Sequence, residues 1–373
     1  MAAQLCKKTR EQQMKRICFV NTSMSWGGGE KWHAVAAKLC NTTADVTVVT
    51  KPSSKLQAKM MEDGIAVFVT KISNASFLNP FKIYKLYRHF KSRQYDTVVL
   101  NLPADAKCAG VAAKLAGIPK IIYRRGMPHP IKNNLINRFL FKHIITDVIV
   151  NSEEIRRSIT KNNINMIERS KIHTIYNGVN CLDYHKDIPS IVTRHNSQIV
   201  LGTTGRCVEQ KNQLMLVECV RSLKGNGHNV KLYIAGTGPL QETIQQEINQ
   251  HDLQDSIIML GFLTDPRPLL AGLDIYVFPS HYEGSANAIV EAMAMGLPVV
   301  SFNVSSMPEM VKHNQTGKLA QYPNNSDFTT QIESLLTDAE LRQRLGTNSR
   351  KMAEEHFDNT LIFEQIKIIL LGE

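Results

Sequence analysis

The amino-acid sequence predicts an α/β protein with two doubly wound, Rossmann-like domains, each built on a parallel β-sheet. Short runs of β-branched and aromatic residues recur along the chain and alternate with longer helical or polar segments, which is the pattern of parallel strands joined by helices. The length of 373 residues suits two domains of ordinary size. A hydrophobic content of 43% and a charged content of 21% are those of a globular protein.

The first domain is predicted over residues 16–180, after a disordered leader at residues 1–15. Its strands should be short apolar runs, because both faces of a parallel sheet are covered. These runs are Ile17–Val20, Val46–Thr50, Ala66–Val69, Thr97–Leu100, Lys120–Tyr123 and Asp147–Asn151. The polar, irregular residues 181–197 are interpreted as a linker.

The second domain is predicted over residues 198–356 by the same pattern. Its strands are expected at Ile199–Thr203, Lys231–Ala235, Ile257–Leu260, Ile275–Phe278 and Leu297–Phe302. Residues 327–353 have the spacing of two amphipathic helices, and residues 357–373 contain a last apolar helix.

One strand, helix, strand unit, residues 274–302, contains two glutamates near the start of its helix. Ser285 is predicted to cap a helix from about Ala286 to Met295. In a parallel sheet this loop lies at the carboxyl ends of the strands, where ligands bind. Backbone N–H groups near Ala288 and Ile289 would suit a phosphate or diphosphate.

The two carboxylates, Glu283 and Glu291, would lie on either side of that anion. They can accept hydrogen bonds from sugar hydroxyls but repel phosphate, so the unit favours a ligand that is anionic in the middle and hydroxylated at both ends. A nucleotide diphosphate sugar is such a ligand. The alternative is a buried helix with two incidental glutamates.

A second loop, residues 205–212, contains two cations five residues apart. Arg206 and Lys211 can converge on one diphosphate and stabilise the charge that builds up on a leaving group. The chain contains no DxD sequence that would hold a metal, so these cations are expected to replace one, and no metal or cofactor is predicted. Surface salt bridges are the alternative role for both.

The run EG…EAMAMGLPVV, with Glu283 and Glu291 in it, resembles the donor-site signature of retaining glycosyltransferases of the GT-B fold, especially glycosyltransferase family 4. The resemblance extends over nearly the whole chain. It implies two domains facing a cleft, with the first on the acceptor side, the second holding the donor and the C-terminal helix crossing back. It also implies that Glu283 positions the transferred sugar, that Glu291 binds the ribose, and that Asn287 belongs to the donor site.

Further donor residues follow from the resemblance. In the family a GGxE sequence borders the donor diphosphate, which implies this role for Gly27 and Gly28. An ordinary helix-entry turn is the alternative. Loops containing Gly236 and Phe262 resemble the family's walls around the nucleotide base.

Near the reacting centre the sequence departs from the family. Arg125 stands where many members have a histidine that contacts the donor sugar, and His129 is a candidate substitute. Asp105, after the strand that ends at Leu100, is the acidic group expected to meet the acceptor hydroxyl, with a simple helix cap as the alternative. Asn177 begins an NGV sequence like the one that closes the first domain in this family.

Charge is divided unevenly along the chain, whose net charge is +11. Residues 1–180 have a net charge of +18 and residues 181–373 one of −7, so the first half should face an anionic partner. Phe81–Arg93 and Ile131–His143 combine basic and apolar residues, which favours an anionic membrane surface or acceptor. A solvated basic helix face is the alternative. No nucleic-acid module is present, so nucleic acid is not predicted as a partner.

Two features bear on location. Seven scattered cysteines favour reduced thiols in a cytosolic protein. No apolar run reaches the length of about 18 residues that a membrane span needs. The expected location is therefore cytoplasmic, with peripheral binding to the inner face of the membrane as a further expectation.

The leading hypothesis is a metal-independent, retaining glycosyltransferase that moves a hexose from a UDP- or GDP-linked sugar to a glycan or lipid-linked acceptor. The resemblance and the charge distribution together favour bacterial surface polysaccharide biosynthesis, as in lipopolysaccharide, capsule or exopolysaccharide. Two alternatives remain: a hydrolysing nucleotide-sugar epimerase of the same fold, and a non-enzymatic, basic peripheral membrane binding protein.

Overall fold

The computed structural model describes residues 14–127, 129–161, 166–194 and 197–372. They divide into two compact units. The first unit contains the described residues up to Ile175 together with those from Phe363 onward, and the second contains Tyr176–Ile362. Residues 1–13 of the predicted leader lie outside the described residues.

The first unit contains a seven-stranded parallel sheet with the order β3-β2-β1-β4-β5-β6-β7. Its strands are β1 (Arg16–Val20), β2 (Asp45–Thr50), β3 (Ala66–Val69), β4 (Thr97–Leu100), β5 (Lys120–Arg125), β6 (Asp147–Val150) and β7 (Ile172–Thr174). The order reverses beside β1, so the predicted doubly wound sheet is confirmed. Strand β7 was not predicted, because its sequence, Ile-His-Thr, is too short and too polar to form an apolar run.

Helices cover both faces of this sheet. They are α1 (Gly28–Cys40), α2 (Lys55–Glu62), α3 (Pro80–Arg93), α4 (Pro103–Leu115), α5 (Leu135–Phe139) and α6 (Glu153–Lys161), and a π-helical turn (Leu140–Ile144) follows α5. A continuous core joins the central strands to buried residues of α3, α4 and the π-helical turn, among them Leu86, Phe90 and Phe141.

The second unit contains a six-stranded parallel sheet with the order β10-β9-β8-β11-β12-β13. Its strands are β8 (Ile199–Thr204), β9 (Val230–Ala235), β10 (Ile257–Gly261), β11 (Ile275–Phe278), β12 (Val299–Phe302) and β13 (Gly317–Ala320). Strand β13 was not predicted, because its sequence, Gly-Lys-Leu-Ala, lacks an apolar run. Its glycine is required by packing, since a Cβ on Gly317 would lie 2.1 Å from the carbonyl oxygen of Val299.

The helices of the second unit cover two separate cores, one on each face of its sheet. They are α7 (Leu214–Gly225), α8 (Gln241–Gln250), α9 (Arg267–Ala271), α10 (Asn287–Ala294), α11 (Met307–Met310), α12 (Asn325–Thr337) and α13 (Ala339–His356). Part of the segment predicted as a linker packs in this unit. Cys181 is buried, and Tyr184, Ile188 and Val192 pack against the same core.

The C-terminal helix, α14 (Asn359–Leu371), ends on side chains of the first unit's sheet. Thr97 Oγ1 donates to the carbonyl of Leu370 at 2.8 Å, and Lys120 Nζ donates to the carbonyl of Ile369. The last carbonyls of a helix have no partner within it and carry partial negative charge. A hydroxyl and an ammonium group therefore satisfy the end of this helix.

A buried carboxylate joins the loop after β1 to the start of α4. Asp105 is fully buried and accepts hydrogen bonds from Thr22 Oγ1 at 2.5 Å, from Thr22 N–H at 3.3 Å and from Leu102 N–H at 3.1 Å. Burial raises the pKa of Asp105 to about 6, against the opposing effect of these hydrogen bonds. The folded protein therefore holds this proton more tightly than the unfolded chain does.

We predict that Asp105→Asn makes the protein less sensitive to rising pH. A raised carboxyl pKa gives a stability contribution that is present below about pH 4 and is lost as the pH rises through about 6. The asparagine oxygen can accept both N–H groups while its amide donates to Thr22. The melting temperature of the variant, relative to wild type, should therefore increase between pH 4.5 and pH 7.5.

Asp105→Ala is the matched comparison. It leaves two buried N–H groups without an acceptor and should cost about 1–3 kcal/mol for each one. A difference between wild type and Asp105→Asn that stays constant with pH would show that Asp105 does not titrate in this range.

Candidate functional site

Two loops at the carboxyl ends of neighbouring strands meet in the second unit. Strands β8 and β11 are adjacent, so the loops that follow them, residues 205–213 and 279–286, lie side by side. The His281 N–H donates to the Gln210 carbonyl at 2.9 Å, and Gln210 Nε2 donates to the Tyr282 carbonyl at 2.8 Å. These bonds join the loop that contains Arg206 and Lys211 to the loop that contains Glu283, which were predicted from separate motifs.

Lys211 and Glu283 form an ion pair across the two loops. Lys211 Nζ lies 2.6 Å from Glu283 Oε1 and 4.8 Å from the centroid of the Phe278 ring. The side chains are only 17% and 8% exposed, so the pair is little screened by water. The two side chains therefore neutralise each other's charge at the carboxyl edge of the second sheet.

The backbone of Glu283 is held by a third loop, which follows β12. Ser305 Oγ donates to the Glu283 carbonyl at 2.8 Å, and Ser306 Oγ donates to the same oxygen at 3.1 Å. The Glu283 N–H donates to Ser305 Oγ at 3.2 Å. These serines were missed in the sequence, although a hydroxyl-rich Ser-Ser pair just after a predicted strand is a signal that could have found them.

Arg206 is exposed and forms no side-chain hydrogen bond or ion pair within the described part of the chain. Its carbonyl is fixed by Gln213 Nε2 at 3.0 Å. Gly236, with a φ of 149°, packs against this loop so closely that a Cβ would lie 1.8 Å from the Gly205 carbonyl oxygen. Only glycine fits that position.

The helix beside this loop begins later than predicted. Helix α10 starts at Asn287, with Ala286 in the N-cap position and no side-chain cap. The prediction that Ser285 caps the helix is wrong, because Ser285 Oγ lies 3.3 Å from Asn287 Oδ1 instead. Asn177 Nδ2 donates to the same Asn287 oxygen at 2.8 Å, which ties the NGV segment to the start of the helix.

One of the two N–H groups expected at the helix start is already bonded. The Ile289 N–H donates to the Ala286 carbonyl at 2.9 Å, so the prediction that it is free is wrong. The Ala288 N–H has no acceptor among the described residues. Glu291 lies one turn further along the helix. The pKa of the Tyr184 phenol is raised mainly by burial of Tyr184, and next by the negative charge of Glu291.

The loops expected to border a nucleotide base are adjacent in the second unit. The Gly236 N–H donates to the Gly261 carbonyl at 2.7 Å. Phe262, the next residue, is 72% exposed. An aromatic ring open to solvent beside a glycine loop can stack on a planar ligand.

In the first unit, Gly27 and Gly28 stand at the start of α1, where the Gly27 N–H donates to Glu30 Oε2 at 2.9 Å. Arg125 Nη2 donates to the carbonyl of His129, so these two candidates are in contact. Asp105 has the geometry of a helix cap, the alternative considered from the sequence, and its carboxylate is not exposed.

A metal site and a membrane span each need a recognisable arrangement of residues. No group of three or more His, Cys, Asp or Glu side chains among the described residues is arranged to hold a metal ion. Within the same residues, no helix has both the length and the apolarity needed to cross a membrane.

Comparison with known proteins places both halves of the chain. Residues 27–183 match the model of "Glycosyltransferase Family 4", and residues 186–352 match that of "Glycosyl transferases group 1". The chain is 26% identical over 231 residues to the capsular polysaccharide biosynthesis glycosyltransferase CapM of Staphylococcus aureus, which covers 60% of each chain. It covers 50% of an uncharacterized glycosyltransferase of Methanocaldococcus jannaschii, so it spans only about half the length of the first curated relatives.

A longer match is to an Escherichia coli UDP-Gal:α-D-GlcNAc-diphosphoundecaprenol α-1,3-galactosyltransferase, 24% identical over 351 residues, covering 88% of this chain and 89% of the relative. Among solved structures, Anabaena HepE in complex with UDP superposes with a TM-score of 0.82 at 20% identity, covering 96% of this chain and all of HepE. That likeness confirms the predicted fold. With one family model on each half and this fold, the chain belongs to the GT-B glycosyltransferases of family 4.

Proposed function

We propose that this protein is a retaining glycosyltransferase that moves a hexose from a UDP- or GDP-linked sugar to a glycan or lipid-linked acceptor. The observation that carries the proposal is the Lys211–Glu283 pair, 2.6 Å apart and nearly buried at the carboxyl edge of the second sheet. A diphosphate flanked by hydroxyl groups is the ligand that can engage both members at once.

The cations would bind the donor diphosphate. In the absence of donor, Lys211 is neutralised by Glu283, and an entering diphosphate would compete for its ammonium group. Arg206, exposed on the same loop, adds a second positive charge, and the Ala288 N–H adds a donor at the start of α10. Together they would stabilise charge on the departing diphosphate without a metal.

The carboxylates would bind the sugars. Three hydrogen bonds with Ser305 and Ser306, two donated by the serines and one by the Glu283 N–H, fix the Glu283 backbone. The Glu283 side chain would therefore meet the hydroxyls of the transferred sugar from a constant position. Glu291 would bind the ribose, with Gly236 and Phe262 beside the base. The family resemblance implies that the transferred sugar keeps its anomeric configuration. The acceptor would attack the same face of the sugar that the diphosphate leaves, through a short-lived ion pair.

The names of two relatives support the acceptor class. One is a galactosyltransferase acting on a sugar linked to diphosphoundecaprenol, and the other belongs to capsular polysaccharide biosynthesis. We therefore propose a role in bacterial surface polysaccharide or lipid-linked glycan synthesis. Arg125 and His129, which contact each other in the first unit, are the candidates for the place of the family histidine.

An anionic membrane is the proposed partner of the first unit, at the inner face of the membrane. Residues 64–95 and 106–146 contain 14 lysines and arginines and no acidic residue. Within them, large apolar side chains are open to solvent, including Phe81, 82% exposed on α3, and Leu135, 81% exposed on α5. Exposed apolar groups among cations favour the surface of a bilayer with anionic lipid.

We predict that Lys211→Ala and Glu291→Ala each reduce hexose transfer by at least about 100-fold, because each removes a group that stabilises the bound donor or its leaving group. The assay is transfer from labelled UDP- and GDP-hexoses to a panel of sugars linked to prenyl diphosphate. Lys351→Ala, an exposed lysine on α13, is the control and should keep wild-type rates.

Near-normal transfer by either variant would overturn the proposed donor site. Release of a free, epimerised sugar by the wild-type protein without any acceptor would instead support the epimerase alternative.

We predict that the double substitution Phe81→Ser and Leu135→Ser weakens binding to phosphatidylglycerol vesicles by at least about tenfold, since each large apolar side chain contributes about 1.5–3 kcal/mol when buried. Flotation of vesicles measures the bound fraction. Met61→Ser, at an apolar residue on α2 that is 63% exposed, is the control. Equal binding of wild type to pure phosphatidylcholine vesicles, or no effect of the double substitution, would contradict the proposed surface.

A further inference from the structure

The second unit contains a buried tyrosine next to the loops of the proposed donor site. Tyr276 is on β11, and its side chain is fully buried. The pairing of β8 with β11 ends where Gly202 pairs with Tyr276, whereas the pairing of β8 with β9 continues to Thr204. Strands β8 and β11 therefore separate two residues before β8 ends.

The Tyr276 hydroxyl spans this separation and contacts Thr204, the last residue of β8. Its oxygen accepts the Thr204 N–H at 3.1 Å and lies 2.7 Å from Thr204 Oγ1. Burial raises the pKa of the Tyr276 phenol, so the phenol stays protonated and can donate a hydrogen bond at neutral pH. It therefore supplies hydrogen bonds to the end of β8 where the pairing with β11 has stopped.

Thr204 stands two residues before Arg206, and the backbone between them is also held from another side. Gln213 Nε2 donates to the carbonyls of Gly205 and Arg206 at 3.2 Å and 3.0 Å. The Tyr276 hydroxyl fixes the same short segment from β11. The backbone that carries the Arg206 side chain is thus held by two buried or half-buried polar side chains.

The position of the Arg206 guanidinium depends on this backbone. Its side chain is exposed and has no hydrogen bond or ion pair within the described part of the chain, so no neighbouring side chain orients it. Ordering a loop when a ligand binds costs conformational entropy and weakens binding. A segment 204–206 that is fixed in advance therefore strengthens the contact between Arg206 and a diphosphate.

The Tyr276 ring has a separate packing role. It stacks on the Phe278 ring, with the centroids 6.2 Å apart, and Lys211 Nζ lies 4.8 Å from the Phe278 centroid. Tyr276→Phe keeps the ring and removes only the hydroxyl. This substitution therefore separates the hydrogen bonds to Thr204 from the packing of the aromatic rings.

We propose that Tyr276 is a positioning residue for the donor site, and that its hydroxyl holds the start of the loop containing Arg206 in the geometry that binds a diphosphate. Because Tyr276 is fully buried, it acts through Thr204 and touches no ligand itself. This inference rests on the function proposed above, in which Arg206 binds the donor diphosphate.

Tyr276→Phe should weaken binding of the nucleoside diphosphate by about 3- to 10-fold, the range for one lost hydrogen bond. UDP and GDP are each titrated into the full-length protein by isothermal titration calorimetry. Tyr233→Phe is the matched control, because Tyr233 is 4% exposed on β9 and its hydroxyl bonds the N–H and the carbonyl of Thr193, each at 3.1 Å. The control should lower the melting temperature to a similar extent and leave the affinity unchanged.

A double-mutant cycle with Arg206→Gln separates positioning of the arginine from a general loss of stability. Arg206→Gln alone should weaken binding by about 10- to 100-fold, because a charge-assisted hydrogen bond is lost. Adding Tyr276→Phe to the Arg206→Gln protein should change the affinity by less than about twofold, because the side chain that the hydroxyl positions is no longer present.

Thr204→Val provides the same test if Tyr276→Phe fails to fold. It removes the Thr204 hydroxyl from the contact and should weaken binding in the wild-type protein but not in the Arg206→Gln protein. Wild-type affinity in the folded Tyr276→Phe protein, or an equal loss with and without Arg206, would overturn the inference. Unchanged affinity in the Arg206→Gln protein would instead contradict the proposed function on which it rests.

Discussion

The ion pair between Lys211 and Glu283 is the interaction around which the second unit's site is arranged. Each partner comes from a different strand-end loop, and both side chains are largely shielded from water. Removing one partner of such a pair leaves a buried charge without compensation, which is strongly unfavourable. The pair therefore holds the two loops together and keeps both charges at the carboxyl edge of the sheet.

This arrangement depends on the topology of the parallel sheet. The loops meet because β8 lies between β9 and β11, so the strand order reverses beside it, and such a reversal is where open α/β sheets bind ligands. Close backbone contacts complete the geometry. Gly236 packs against the Gly205 carbonyl, and the serines after β12 hold Glu283.

Most strands of the two sheets could be predicted from the sequence. Strands such as Thr97–Leu100 and Ile275–Phe278 are buried throughout because both faces of a parallel sheet are covered, and they were predicted to the residue. The edge strands β7 and β13 lack apolar runs and were missed. Lys211 and Glu283 were predicted as site residues from their motifs, but their contact was not predicted, since it depends on which strands are neighbours.

Local hydrogen bonding was harder to predict than the positions of the elements. Ser285 had the right residue type for a cap, yet its hydroxyl lies against Asn287, whose side chain also accepts from Asn177. That contact joins residues 110 positions apart, which no local pattern contains. The same limit applies to Tyr276, since its hydroxyl contacts Thr204, 72 positions away, and only the fold brings the two together.

The measurement that tests the central claim most directly is the thermal stability of the purified protein with UDP, GDP and ADP, each with magnesium and with a chelator. A ligand that binds only the folded state stabilises it by about 2.7 kcal/mol at 100 times its dissociation constant. The account predicts that one uridine or guanosine diphosphate raises the melting temperature equally with and without magnesium. No shift with any nucleotide, or a shift that requires magnesium, would contradict a metal-independent diphosphate site built on Arg206, Lys211 and Glu283.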